Sequence, residues 1–174
     1  MIELSVIRDL VAIFGVIGGF TYYVLNLMET RRSRRITLTT TLMQHFMTKE
    51  GSREIADLIS MEWSDLDDYK RKYDHRVNLE NFSMRIAVWR LFDSIGLLYR
   101  KGLLDLETIN SGSTGIIPSL WRKFKPVVEM YRETDFHRST WENWEYLAER
   151  LQEAYPETVP FDTGDFVLKR ETGS

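Results

Sequence analysis

Residues 10–28, LVAIFGVIGGFTYYVLNLM, hold no formally charged side chain, and four arginines follow within the next seven residues. This stretch constrains the chain more than any other. As a helix it spans roughly 28 Å at 1.5 Å per residue, close to the ~30 Å of a bilayer's hydrocarbon core. Asn26, its most polar residue, lies near one end, where water is within reach. A cleaved signal peptide needs a basic start, a shorter apolar run and a small-residue cleavage site. Here the start carries Glu3, and bulky Tyr22, Tyr23, Val24 and Leu25 fill the far end. A buried soluble helix is usually shorter and is rarely followed by RRSRR. The stretch therefore reads as a transmembrane helix.

Arg31, Arg32, Arg34 and Arg35 set its expected direction, since the arginine-rich flank of a span stays cytoplasmic. Each arginine near an anionic leaflet contributes about 1 kcal/mol of attraction. The expectation is a single-pass protein of the cell membrane, with a short N-terminus outside and the rest in the cytoplasm. Gly15 and Gly19 have the small-xxx-small spacing that lets two membrane helices approach closely, which leaves a homo-oligomer open.

The remainder reads as all-α. Four prolines and ten glycines in 174 residues are too few for a turn-rich β fold. The absence of cysteine excludes a disulfide scaffold, a thiolate metal site and a cysteine nucleophile. A net charge of −3 gives no basic excess of the kind that points to nucleic acid. The organisation expected is an anchor over 1–30, a basic juxtamembrane segment over 31–35, a helical cytosolic domain over 36–155 and a flexible tail over 156–174. The domain is expected to hold about five or six helices.

Along that domain, Ile36, Leu42, Met43, Phe46 and Met47 fit one apolar stripe. Gly51 and Ser52 then break the pattern, and Ser52 is placed to cap a new helix bearing Ile55, Leu58, Ile59 and Trp63. Asp65 to Arg76, acidic first and basic later, suits a short exposed helix. Leu79 to Lys101 is the strongest helix, with Leu79, Phe82, Ile86 and Trp89 in one row and Val88, Phe92, Ile95 and Tyr99 in the next. Asp93 sits on that apolar face and is expected to pair with Arg90 or with an arginine of another helix. Gly102 suits the position after the helix end.

Asp105 is placed to cap LETIN, and SGSTG at 111–115 reads as a loop. It lacks the lysine of a phosphate-binding P-loop, since Ile116 follows Gly115. Pro118 suits the first turn of the next helix, whereas Pro126 should kink or break it. Ser139 and Glu142 match a capping box for a last helix bearing Trp141, Trp144, Leu147, Ala148 and Leu151.

No catalytic, cofactor-binding or metal-binding residue is expected. His45, His75 and His137 are far apart, and no nucleophile elbow, dinucleotide fingerprint or kinase signature occurs. The expected partners are the lipid bilayer and a protein in the membrane or cytosol, with no nucleic acid. The function this supports is a non-catalytic, membrane-tethered interaction or accessory module, such as a subunit of a larger membrane complex. The alternative is a membrane-anchored sensor or effector that binds a small anionic ligand through Arg122, Lys123 and Lys125 beside the SGSTG loop.

Three stretches carry a resemblance: LFDSIGLLYRKGLLD (91–105), IIPSLWRKFKP (116–126) and WENWEYLAERLQEA (141–154). The chain resembles a domain-of-unknown-function family, numbered forty-seven sixty, of small proteins with one N-terminal membrane helix and a helical cytoplasmic domain. The resemblance implies that fold and no established activity, so it assigns no catalytic residue.

Overall fold

The computed structural model describes residues 12–30, 44, 48–113 and 115–158. The chain divides into two compact units, residues 1–38 and 39–174. In the first, helix α1 spans Ala12–Thr30 with a mean hydropathy of 1.3, and none of it is buried. It is long and apolar enough to cross a membrane. Thr30 closes its last turn by donating from Oγ1 to the Asn26 carbonyl at 2.8 Å. The four arginines of 31–35 and the stripe from Ile36 to Met47 lie outside the described residues, as does the tail beyond 158.

The second unit contains six α-helices among its described residues: α2 (Lys49–Ser60), α3 (Leu66–Tyr73), α4 (Leu79–Arg100), α5 (Leu106–Ser113), α6 (Ile116–Thr134) and α7 (Glu142–Ala154). A single 3-10 turn follows at Pro156–Thr158. Most starts are capped by the residue before the helix. Asp65 accepts from Asp68 N at 2.7 Å, Asn78 from Asn81 N at 3.0 Å, and Asp105 from Thr108 N at 2.8 Å. α4 ends with Gly102 at φ +66°, and Leu103 N and Gly102 N bond to the Leu98 and Tyr99 carbonyls. That left-handed turn is the one expected of the glycine.

α4 is the centre of the bundle and packs most extensively against α7. Trp89 is fully buried, with its ring 5.2 Å from Phe124 of α6, 5.0 Å from Trp141 and 5.7 Å from Trp144 of α7. The first two pairs are edge-on and the third is tilted; edge-on aromatic pairs add ~0.5–1.5 kcal/mol each beyond the area they bury. Phe92 and Ile95 of α4, Leu120, Val127 and Val128 of α6, and Leu147 and Leu151 of α7 complete the interior.

Several local expectations are corrected. Gly51 and Ser52 do not interrupt a helix; they lie in the first turn of α2, where Thr48 accepts from Gly51 N at 3.0 Å. The cap is thus Thr48 and not Ser52. Leu79, the first residue of α4, does not join the core row and is 65% exposed; the row begins at Phe82, which packs against the core. Residues 111–113 of the supposed loop belong to α5, where burial of Ile109 and Ser113 outweighs a weak helical propensity. α6 continues through Pro126, which lies on the solvent side while Phe124, Val127 and Val128 anchor both halves. Water can serve the carbonyl that the proline leaves without a donor.

Candidate functional site

The most enclosed polar environment in the bundle surrounds Arg85, on the second turn of α4. Its side chain is completely buried. Nη1 donates to Asn81 Oδ1 at 2.6 Å, and Nη2 donates to the Tyr73 carbonyl at 3.1 Å and the Tyr131 hydroxyl at 3.3 Å. The guanidinium carbon lies 5.1 Å from the Tyr69 ring centre and 5.5 Å from those of Phe82 and Trp89. Its hydrogen bonds thus go to neutral groups and its charge faces aromatic rings, which attract a cation through their quadrupoles. Burial pushes the Tyr69 hydroxyl well above the usual phenol range, with the Arg85 charge acting the other way. Tyr131 is raised for the same first reason. Both phenols therefore stay protonated at neutral pH.

Asn81 and Tyr73 are held from behind by Arg85, and both line a cavity of about 360 Å³ on the outer side. The last turn of α2 contributes Asp57 and Ser60, with Met61 just beyond. The start of α4 contributes Asn78, Glu80 and Met84. Asn78 is already committed to capping α4, and Tyr73 exchanges hydrogen bonds with the Glu62 backbone at 3.3 Å. Ser60 Oγ donates to the Asp57 carbonyl at 3.0 Å, and Asn81 Nδ2 donates to the Met61 sulfur at 3.7 Å. That leaves the carboxylates of Asp57 and Glu80 and the thioether of Met84 along the lining. No lysine, arginine or histidine lines it.

The other residues singled out from sequence lie elsewhere. Asp93 makes neither of the expected arginine pairs. Its Oδ1 accepts from Asn143 N at 2.9 Å and Trp144 N at 3.1 Å, and its Oδ2 accepts from Asn143 Nδ2 at 3.3 Å. It caps α7 from another helix. The capping box is accordingly not formed: Trp141 precedes α7 at φ 61° with no side-chain cap bond, and Ser139 Oγ lies 2.9 Å from His137 Nδ1 instead. Gly96 sits one turn along α4 from Asp93. A Cβ there would lie 2.1 Å from the Asn143 carbonyl oxygen, so only glycine allows this approach. Arg100 Nη1 then donates to Asn143 Oδ1 at 3.0 Å. Asp93, Gly96 and Arg100 thus hold one residue of α7 between them. A mid-helix glycine and an acid on an apolar face were the only signals of it in the sequence.

Arg122, Lys123 and Lys125 do not form one basic face. Lys123 is buried and donates from Nζ to the Ile59 carbonyl in the last turn of α2, with the Trp63 ring centre 5.4 Å away. Burial lowers its pKa to about 8, against a weaker opposite pull from Glu62. Arg122 is half-buried, and the exposed Lys125 lies 3.9 Å from Glu129. A Cβ on Gly15 or Gly19 in α1 would meet nothing within 4 Å.

His75 Nδ1 lies 3.2 Å from Asp74 Oδ1 and its ring packs on Phe82. The two are adjacent, but they meet because they occupy a turn after α3, where the helical geometry that separates neighbours does not apply. His75, His137 and Asp93 have separate partners. His45 lies outside the described residues, and among those described no three acidic or histidine side chains are grouped to hold a metal ion.

The family model described as "Domain of unknown function (DUF4760)" matches residues 9–151. No curated protein and no solved structure matches the chain.

Proposed function

The chain belongs to the DUF4760 family, whose description assigns no function, and on that premise we propose that it is a non-catalytic, single-pass, membrane-tethered interaction module. It serves as an accessory subunit that presents its bundle to a partner at the cytoplasmic face of the cell membrane. The observation that carries this reading is α1. An apolar helix of nineteen residues with none of its surface buried leaves its whole hydrophobic circumference for a lipid or protein neighbour. The family match begins at residue 9 and runs to residue 151, so the apolar helix and the bundle fall within one family unit. A cleaved leader would be a poor fit to that. The arginines at 31, 32, 34 and 35 supply the cytoplasmic orientation.

The polar interior supports an adapter over an enzyme. Arg85, Asp93 and Lys123 are all engaged in holding helices together. The test is purification of the tagged full chain from native membranes in mild detergent. A second protein in constant stoichiometry through two successive columns is the expected result. A chain that runs alone in every detergent would overturn the reading.

A further inference from the structure

We propose that the cavity between α2 and α4 is the docking pocket of the interaction module, and that it receives a lysine or arginine side chain of a partner protein segment. This rests on the reading of the chain as an interaction module and names the chemistry of its partner.

Three observations support a cationic guest. Asp57 from α2 and Glu80 from α4 both line the space, and no basic residue does. Asp57 has one ion pair, with Arg53 at 4.0 Å, and both side chains are more than half exposed. Such a pair contributes little and yields easily to a better-placed cation. Glu80 forms no ion pair among the described residues.

The form of the site then points to a side chain on a segment and not to a free ion. Met61 and Met84 line the cavity with thioethers suited to the methylene stem of lysine or arginine. Val77 and Leu79 flank the lining residue Asn78. At 64% and 65% they are the most exposed large apolar side chains of the described bundle. A segment with a central basic residue and aliphatic neighbours would cover both while its charge entered between Asp57 and Glu80. Behind the wall, Arg85 fixes Asn81 and Tyr73, so the pocket is organised before a partner arrives.

The test uses the full chain in detergent micelles, labelled with ¹³C at the methionine methyls. The probes are acetyl-Ala-Leu-Arg-Leu-Ala-amide and the same peptide with citrulline, the uncharged isostere, in place of arginine. The arginine peptide is expected to shift the Met61 and Met84 methyls while the core Met130 stays still. Citrulline should weaken binding about fivefold or more, and so should Asp57→Asn with Glu80→Gln. Absence of Met61 and Met84 shifts, or equal binding of the two peptides, overturns the proposal. So does a phosphatidylethanolamine titration that produces the same shifts and leaves the peptide without further effect, since that assigns the pocket to a lipid headgroup. The doubly substituted chain also separates this claim from its premise. A partner that co-purifies undiminished with it leaves the module standing and removes the pocket, whereas a wild-type chain without any partner removes the module.

Discussion

Asp93 brings a carboxylate to the free amides at the start of a neighbouring helix, work normally done by the residue just before that helix. Charge-assisted bonds to two backbone amides, aligned with the helix dipole, make it a strong cap. Asp93→Ala should therefore cost about 1–2 kcal/mol in urea unfolding. Ser139→Ala should stay within about 0.5 kcal/mol, as for an ordinary exposed site. The reverse order would restore the local capping box and remove the tertiary one. Lys123 makes a second prediction at this scale, in pH. Its ordinary pKa is 10.5 and its folded value is about 8, so below pH 8 the fold bears the full cost of a buried cation. Between those values the unfolded chain binds more protons, and stability rises with pH. Above about pH 10 the raised pKa values of Tyr69 and Tyr131 act in the opposite sense, because the unfolded phenols ionise first. Denaturant midpoints should climb from pH 7.5 to 9.5, by part of a total on the order of 1–3 kcal/mol. Lys123→Met should flatten that climb. An unchanged slope in the variant would show that Lys123 is not its source. Asp68 behaves in the ordinary acidic way. Hydrogen bonds from Lys72 and Ser64 lower its pKa to about 2, so its contribution is present above pH 3.8 and fades as the pH falls toward 2.

The α4–α7 contact shows what the helices owe to local pattern and what they owe to each other. Gly96 lets the α4 backbone reach the Asn143 carbonyl, and no side chain is small enough to replace it. Gly96→Ala regains about 1 kcal/mol of helix propensity yet must push the helices apart. The net expectation is a loss of at least about 2 kcal/mol, with the largest drop in hydrogen-exchange protection in α7. A stabilised variant would mean that the helices separate at no cost. α4 itself was legible, because its two apolar rows repeat at helical spacing over 22 residues. So were the starts of α3 and α5, whose caps lie next to the helices they cap. The start of α7 was not, because its cap is fifty residues away and pattern reports only neighbours in sequence. Pro126 does not break α6, for a related reason. A proline's local cost is visible in any sequence, but the buried Phe124, Val127 and Val128 that hold α6 together across it are a property of the fold.

At the scale of the whole molecule, hydrophobic patterning reveals which helices exist but not which polar residues the bundle takes inside. Lys123 looked like part of a basic face, and Arg85 attracted no notice; both are interior. The candidate pocket was invisible for the same reason, since Asp57 and Glu80 come from separate helices and meet only after folding. Helix α1 is the opposite case, because length and composition alone make it long and apolar enough to cross a membrane, without reference to any partner. The proposed orientation is argued from charge alone, and that makes it testable by charge alone. The chain has no cysteine, so one introduced thiol is the only site for a membrane-impermeant maleimide. In intact cells, Ile2→Cys should label and Glu107→Cys, exposed at the start of α5, should label only after lysis. Replacing Arg31, Arg32, Arg34 and Arg35 with glutamine leaves Arg8 as the nearest remaining flanking arginine, on the other side of the span. The positive-charge bias is then reversed, and labelling of Glu107→Cys in intact cells should rise to a substantial fraction. Labelling of Glu107→Cys from outside in the chain with its arginines would invert the topology. The bundle and any pocket on it would then face away from a cytosolic partner.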